Sequence, residues 1–407
     1  MRIQHALHNG IIWSASLPST QWLLHLVPVL FMAVFLPTTL ARRWRFNTLA
    51  SFLGPLNQRK SSTQAVMQAV KDTIAQNFGG KAQDVGRATF SLEEVPDLSG
   101  KVAVVTGGSE GIGYGCTHTL LSKNISKLFV TSLRTEKGED ALDALEKELG
   151  AGARKRVVYL QNDNSDWAST AKVANEIASQ TDRIDILINN AARGIMTRQL
   201  DSHGVDLHMS TNHIGADVFT SHLLPVLKKT ADAGHTVRIV NLSSNLHESA
   251  PPDTKFESVE ELNKDYGPQQ QYNRAKLANF LHIKYLDKHL HSKHPNILVN
   301  ATHPGIVQTA QTQEHIHEAF PLLGYGMSVA AQPFIKTQFE GCVSTMYAAT
   351  TTTESGQYVT PPCLVEKGSD KANDEQLAEN LMKLTRELVE QKTRPESSAK
   401  GCPFKDA

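Results

Sequence analysis

Lys101 to Gly113 reads KVAVVTGGSEGIG, and the fold is decided there. Lys101 to Thr106 is a short β-branched run, the next turn is rich in glycine, and helical periodicity resumes from Ile112 to about Ser122. Gly107, Gly111 and Gly113 allow a tight turn, close backbone approach and close helix packing. A helix that starts at such a turn aims its free N–H groups at whatever anion lies in front of it, so Gly107, Ser109, Gly111, Ile112 and Gly113 are candidates for holding a phosphate. Taken alone the turn is a weak fingerprint, because strand-to-helix turns also carry glycine for purely steric reasons.

Working outward, the alternation of strand and helix continues. Lys127 to Ser132, Arg156 to Leu160, Ile184 to Asn189, Arg238 to Leu242 and Ile297 to Thr302 are further buried-strand candidates, each separated from the next by a helix-length stretch. Parallel neighbours need such long crossovers, so the expected fold class is α/β: a doubly wound parallel sheet with helices on both faces. Its ligand belongs at the carboxyl ends of the strands.

Other pieces follow in order. Asn189-Asn190-Ala191-Ala192 closes the fourth strand, Asn212 sits in the next helix, and Ser243-Ser244 ends the fifth strand. Tyr272-Asn273-Arg274-Ala275-Lys276 opens a helix, and His303-Pro304-Gly305-Ile306-Val307-Gln308-Thr309 follows the sixth strand. Singly, a Tyr and Lys four apart are usually a surface pair, and two serines after a strand are usually a turn or cap. As an ordered set spanning roughly residues 97 to 360, they resemble the short-chain dehydrogenase/reductase family, and the details YNRAKLAN and HPGIV resemble its retinol-dehydrogenase-like branch, including fungal members assigned to membranes or mitochondria. The resemblance implies a Rossmann-type domain and an oxidoreductase that interconverts a carbonyl and an alcohol. The contrasting class is a dinucleotide-binding regulator or membrane scaffold without turnover, because fold does not fix function.

The chemistry of the set can be reasoned from its groups. Tyr272 and Lys276 share a helical face, so the ammonium can favour phenolate over phenol. A tyrosine lowered from its usual value near 10 would exchange a proton with a substrate oxygen, and Ser244 would donate a hydrogen bond to that oxygen as charge develops. The resemblance further implies that Asn212 anchors a water relaying protons to Lys276, and that Lys276 holds the nicotinamide ribose. It also implies cofactor contacts by Asp163, Asn189, Ala191, Pro304, Val307 and Thr309.

The second strand ends in Val130-Thr131-Ser132-Leu133-Arg134-Thr135, without the acid that would accept from a ribose 2′-hydroxyl. Arg134 can instead fork onto a 2′-phosphate, so NADP(H) is the expected cofactor, with NAD(H) the alternative; Glu110 in the phosphate turn is a contrary sign. Ala192 replaces the glycine usual after Asn-Asn-Ala in this branch. Ala216 and Asp217 stand where the branch carries His and an aromatic, which puts its substrate pocket in doubt. The polar stretch between Ser244 and Tyr272 is expected as an excursion at the mouth of the site, and the apolar, glycine-bearing run Ala319 to Phe334 as either a lid or a core helix. A lid of that composition would favour a small lipophilic substrate.

The 41 basic and 41 acidic residues cancel overall, yet seven basic residues precede the first acid, Asp72. Ile3 to Ala41 carries no Lys, Arg, Asp or Glu, and 14 of the 19 residues from Trp22 to Leu40 are apolar. At about 1.5 Å per residue that run is long enough to span hydrocarbon. Residues 1–41 are therefore read as a hydrophobic helical anchor, with Pro28 and Pro37 leaving a one-leaflet hairpin open and the acid-free composition leaving a mitochondrial leader open. If the run spans, Arg42, Arg43 and Arg45 put the remainder in the cytosol, as on the endoplasmic reticulum or a lipid droplet, with the mitochondrion as the alternative.

Residues 42–95 read as a basic connector with one amphipathic helix, 96–392 as the catalytic domain and 393–407 as a polar tail. Asp374 to Lys392 is an amphipathic helix whose leucines pack on the domain or, as the minority reading, form a homodimer contact. Four scattered cysteines without a CxxC pair argue against a zinc knuckle or a secreted disulfide framework, and the 17 histidines lack carboxylates or cysteines at ligand spacing, so no metal is proposed. No aromatic-laced basic stripe suggests nucleic acid.

Overall fold

Every residue of β1 (Val102–Thr106) is buried, and successive side chains divide between two cores: Val102 and Val104 join one, Ala103 and Val105 the other. This is the central strand of the computed structural model, which describes residues 90–305, 307, 336–361 and 363–393. From β1 the chain runs through α1 (Gly111–Ser122), β2 (Lys127–Ser132), α2 (Thr135–Leu149), β3 (Val157–Gln161), α3 (Trp167–Ser179) and β4 (Ile186–Asn189). It continues through α4 (Gly215–Asp232), β5 (Val237–Leu242), α5 (Pro268–Leu290), β6 (Ile297–Thr302), α6 (Gln338–Thr350), β7 (Tyr358–Thr360), β8 (Leu364–Glu366) and α7 (Glu375–Thr393).

The sheet order is β3-β2-β1-β4-β5-β6-β7-β8, parallel except for β8, which pairs antiparallel with β7. The order reverses at β1, so the crevice of a doubly wound sheet opens between the ends of β1 and β4. One core is completed by α1, α2 and α6, the other by α3, α4, α5 and α7. The six strands expected from sequence are present within a residue or two of their predicted ends. The last two were missed because three residues each are too few to show a period.

The C-terminal helix begins one residue later than expected, and its leucines 377, 381, 384 and 388 are buried in the second core of its own chain. Phe90 is buried, its ring 5.4 Å from that of Tyr347. Residues 1–89, which include the candidate anchor and most of the connector, lie outside the described residues, as do 308–335 and 394–407. Among the described residues no helix is long and apolar enough to cross a membrane, and no group of three His, Cys, Asp or Glu could hold a metal ion.

The stretch between Ser244 and Tyr272 is packed rather than a loose excursion. Phe256 and Leu262 are fully buried, and the guanidinium of Arg274, itself 0% exposed, donates to the carbonyls of Glu261 and Leu262 and to Oε1 of Gln271. Asp206 supplies the nearby negative charge. A buried cation held this way through Nη1 and Nη2, with Nε left without a partner, fastens the excursion to α5 two residues after Tyr272. Arg274→Ala leaves those acceptors and Asp206 uncompensated, and is expected to cost about 3 kcal/mol of stability in urea unfolding; a loss within experimental error of zero would show that the clamp contributes nothing.

Candidate active site

The ends of β1 and β4 are stitched together. The hydroxyl of Thr106 accepts the N–H groups of Asn190 and Ala191, both at 3.1 Å, while Nδ2 of Asn190 donates to the carbonyls of Thr106 at 3.0 Å and Gly107 at 2.9 Å. That seam is why the turn needs glycine. A Cβ on Gly107, whose φ is +62°, would lie 2.9 Å from Cα of Ala191, and one on Gly113 would lie 2.0 Å from the carbonyl oxygen of Gly107. Glu110 stands at the N-cap of α1 but makes no side-chain cap, which leaves the first-turn N–H groups to an anion. Ser109, Gly111 and Ile112 lie on this same turn. A backbone cradle, an uncapped helix and no room for side chains together fit a dinucleotide pyrophosphate.

Arg134 is the N-cap residue of α2, with its side chain half exposed. Nη2 of Arg134 is 3.6 Å from one carboxylate oxygen of Glu110, and Nζ of Lys137 is 3.8 Å from the other. The acid that stood against a 2′-phosphate is thus matched by two cations. Lys137 escaped the sequence reading because only the α2 geometry, placing it one turn after Arg134, brings it to the phosphate turn. Asp163 closes a turn by accepting from N and Oγ of Ser165. Asn189 points its side chain into the interior, where Nδ2 donates to Thr220 and Asn241, so only its backbone is available to a ligand. Pro304 follows β6, Val307 forms a parallel bridge to Lys336, and Thr309 lies outside the described residues.

Ser244, Tyr272 and Lys276 come together where β5 ends and α5 begins. Ser244 is close enough to the Tyr272 phenol to act on it as a hydrogen-bond partner, and Nζ of Lys276 lies 5.5 Å from the centroid of that ring. Nζ of Lys276 donates to the carbonyl of Leu242 at 3.0 Å, as does Nδ2 of Asn279, and Oγ of Ser243 donates to the Lys276 carbonyl at 2.7 Å. Sequence reasoning missed Asn279 and assigned Ser243 no part; their places one turn beyond Lys276 and one residue before Ser244 were the only signals.

The electrostatics correct one expectation. Burial pushes the Tyr272 phenol up to about 12, with the Ser244 contact pulling the other way, and burial lowers Lys276 to about 8. Desolvation is the largest cause at both groups, and near neutral pH the phenol keeps its proton while Lys276 is largely charged. The pair is set as a proton donor beside a cation.

Asn212 lies in a π-helical turn, Ser210–Ile214. Its Oδ1 accepts the N–H of Arg193 at 2.7 Å and its Nδ2 donates to the Arg193 carbonyl at 3.1 Å, so the side chain holds the loop after β4. Ala216 and Asp217 also differ from expectation: Ala216 is buried and Asp217 meets His282 of α5 at 3.2 Å, so their departure from the branch pattern concerns the packing of α4 on α5.

Residues 101–254 match the short chain dehydrogenase family. Over 387 residues the chain is 49% identical to a Neurospora crassa protein with the provisional name oxidoreductase bli-4, mitochondrial, covering 94% of this chain and 92% of that one. It is 29% identical over 303 residues to retinol dehydrogenase 14 of Mus musculus, covering 72% and 86%. Among solved structures, the Pseudomonas aeruginosa RhlG/NADP active-site complex superposes with a TM-score of 0.50 at 24% identity, covering 65% of this chain and 96% of that one, a likeness of fold. Similarity along nearly the whole chain, joined to a sheet that reverses at the glycine turn, shows that the protein belongs to the short-chain dehydrogenase/reductase family.

Proposed function

We propose that the protein is an NADP(H)-dependent oxidoreductase that interconverts a carbonyl and an alcohol on a small lipophilic substrate, with reduction as its favoured direction. The observation that carries the reading is the meeting of Ser244, Tyr272 and Lys276 at the end of β5, two strands from an uncapped glycine turn. When bound, the nicotinamide supplies or accepts hydride. Tyr272 gives its proton to the carbonyl oxygen, and the Ser244 hydroxyl, which now accepts from the Leu246 N–H, donates to that oxygen as it gains charge. Lys276, anchored on the Leu242 carbonyl, has two further protons with which to hold a ribose hydroxyl and keeps positive charge beside the phenol. Asn212, whose side chain also fixes the loop after β4, anchors a water that relays protons to Lys276.

Arg134 and Lys137 support NADP(H), and the NADP-bound fold relative is consistent with it. The lipophilic substrate rests on the composition of Ala319 to Phe334, with residues 22–40 as membrane attachment. For location we favour the mitochondrion, on the name of the Neurospora crassa relative and the acid-free, arginine-bearing first 71 residues, over the endoplasmic reticulum or a lipid droplet.

Full-length protein screened for NADPH oxidation against aldehydes, ketones, retinoids and steroids is expected to turn over at least one of them. Tyr272→Phe should then lose activity by a factor on the order of 100 or more; equal rates in both proteins would remove the mechanism, and no turnover with intact cofactor binding would favour a silent dinucleotide-binding regulator. Because Lys276 acts while charged and its pKa is lowered to about 8, the reduction rate should fall as pH rises through that value. Lys276→Arg stays charged throughout and should abolish that limb in whatever activity it retains; persistence of the limb would assign it to another group. Arg134→Ala should raise the KM for NADPH on the order of tenfold while sparing NADH, and equal effects on the two would refute the 2′-phosphate assignment.

A further inference from the structure

A chain of buried polar side chains crosses four elements behind the active site. Nδ2 of Asn189 on β4 donates to Oδ1 of Asn241 on β5 at 2.8 Å; Nδ2 of Asn241 donates to Nδ1 of His282 on α5 at 3.1 Å; Nε2 of His282 lies 3.2 Å from Oδ1 of Asp217 on α4. With the amides oriented this way Nδ1 of His282 accepts, which leaves the ring proton on Nε2, close to Asp217 though not aligned in a hydrogen bond with it. His282, Asn241 and Asn189 are at most 4% exposed. The same Asn241 reaches the carbonyl of Asn279, and the next residue, Leu242, offers the carbonyl on which Nδ2 of Asn279 and Nζ of Lys276 converge. His282, Asn279 and Lys276 thus form successive three-residue steps along α5, all fastened to the last two residues of β5, directly before Ser243 and Ser244.

We propose that His282, oriented by Asp217, is a positioning residue that keys α5 to the end of β5 and so sets Lys276 relative to Ser244 and Tyr272. The proposal rests on the reading of Lys276 given above. Removing the imidazole leaves an Asn241 N–H without an acceptor in a dry interior, and the strand end relaxes to find one. Lys276 then gains water, and the burial that lowers it is relieved. The other ionisable groups near this network are His213, whose ring is 5.5 Å from that of His282 and which burial holds at about 3, Arg386 of α7, whose charge acts on Asp217, and, beside Lys276, Tyr272 and His303, the last also held at about 3. With both histidines neutral and Asp217 held below its usual value, none of them changes charge as pH passes 8.

The test compares wild type, His282→Phe, His282→Gln and Asp217→Asn in full-length protein. His282→Phe should lower kcat on the order of tenfold with the NADPH KM within about twofold, and move the alkaline limb of the reduction profile upward from about 8. Glutamine, able to accept from Asn241 and donate to Asp217, should restore the limb; Asp217→Asn, which is less disruptive to packing, should move it in the same direction as phenylalanine. A fall in thermal stability alone, with kcat and the limb unchanged, overturns the proposal. Histidine-nitrogen NMR of the wild type reads the tautomer without any turnover: a proton on Nε2 of His282 supports the network, and one on Nδ1 overturns it. A silent enzyme with the Nε2 tautomer would instead locate the failure in the proposed reaction.

Discussion

The carbonyl oxygen of Leu242 receives two hydrogen bonds at 3.0 Å, one from an ammonium and one from an amide, and the catalytic geometry depends on that double acceptance. A buried ammonium is costly unless its protons find acceptors. Here the strand that ends in Ser244 supplies the acceptor, so satisfying Lys276 also fixes the distance between β5 and α5. The Ser243 hydroxyl, bonded to the Lys276 carbonyl, closes the loop from the other side. Nothing about this arrangement requires an ion pair, and its low polarity leaves Lys276 depressed and Tyr272 raised.

The second constraint is the seam between β1 and β4. Four hydrogen bonds join Thr106 and Gly107 to Asn190 and Ala191 across the point where the strand order turns back, and the glycines follow from the lack of space this leaves. One short threonine hydroxyl therefore links the sheet's topology to the phosphate-facing turn. The neighbouring Glu110, Arg134 and Lys137 form a triplet with one net positive charge at its rim, in which any incoming phosphate must compete with a carboxylate for the same cations.

Much of this was legible in the sequence. KVAVVT followed by GGSEGIG carries its strand and turn in local composition, and Tyr272 with Lys276 carries its helical face in the spacing. What stayed hidden depends on distance in the chain. Lys137 gains meaning only when α2 swings it beside Glu110, and the two bonds of Asn212 reach Arg193, 19 residues earlier. Asp217 stood out only as a departure from the branch pattern because its partner, His282, comes 65 positions later. The phenol's pKa was misjudged for a related reason: spacing reveals a nearby cation, whereas desolvation depends on everything packed around the ring. β7 and β8 are too short to announce themselves.

The placement of α7 bears on how the molecule is made. Leu377, Leu381, Leu384 and Leu388 seal the face of the sheet on which α5 rests, and β7, which extends the sheet beyond β6, is synthesised shortly before them. Until the ribosome has added α7 the nascent chain carries an unsealed apolar surface, so this face of the fold can close only once α7 has been made.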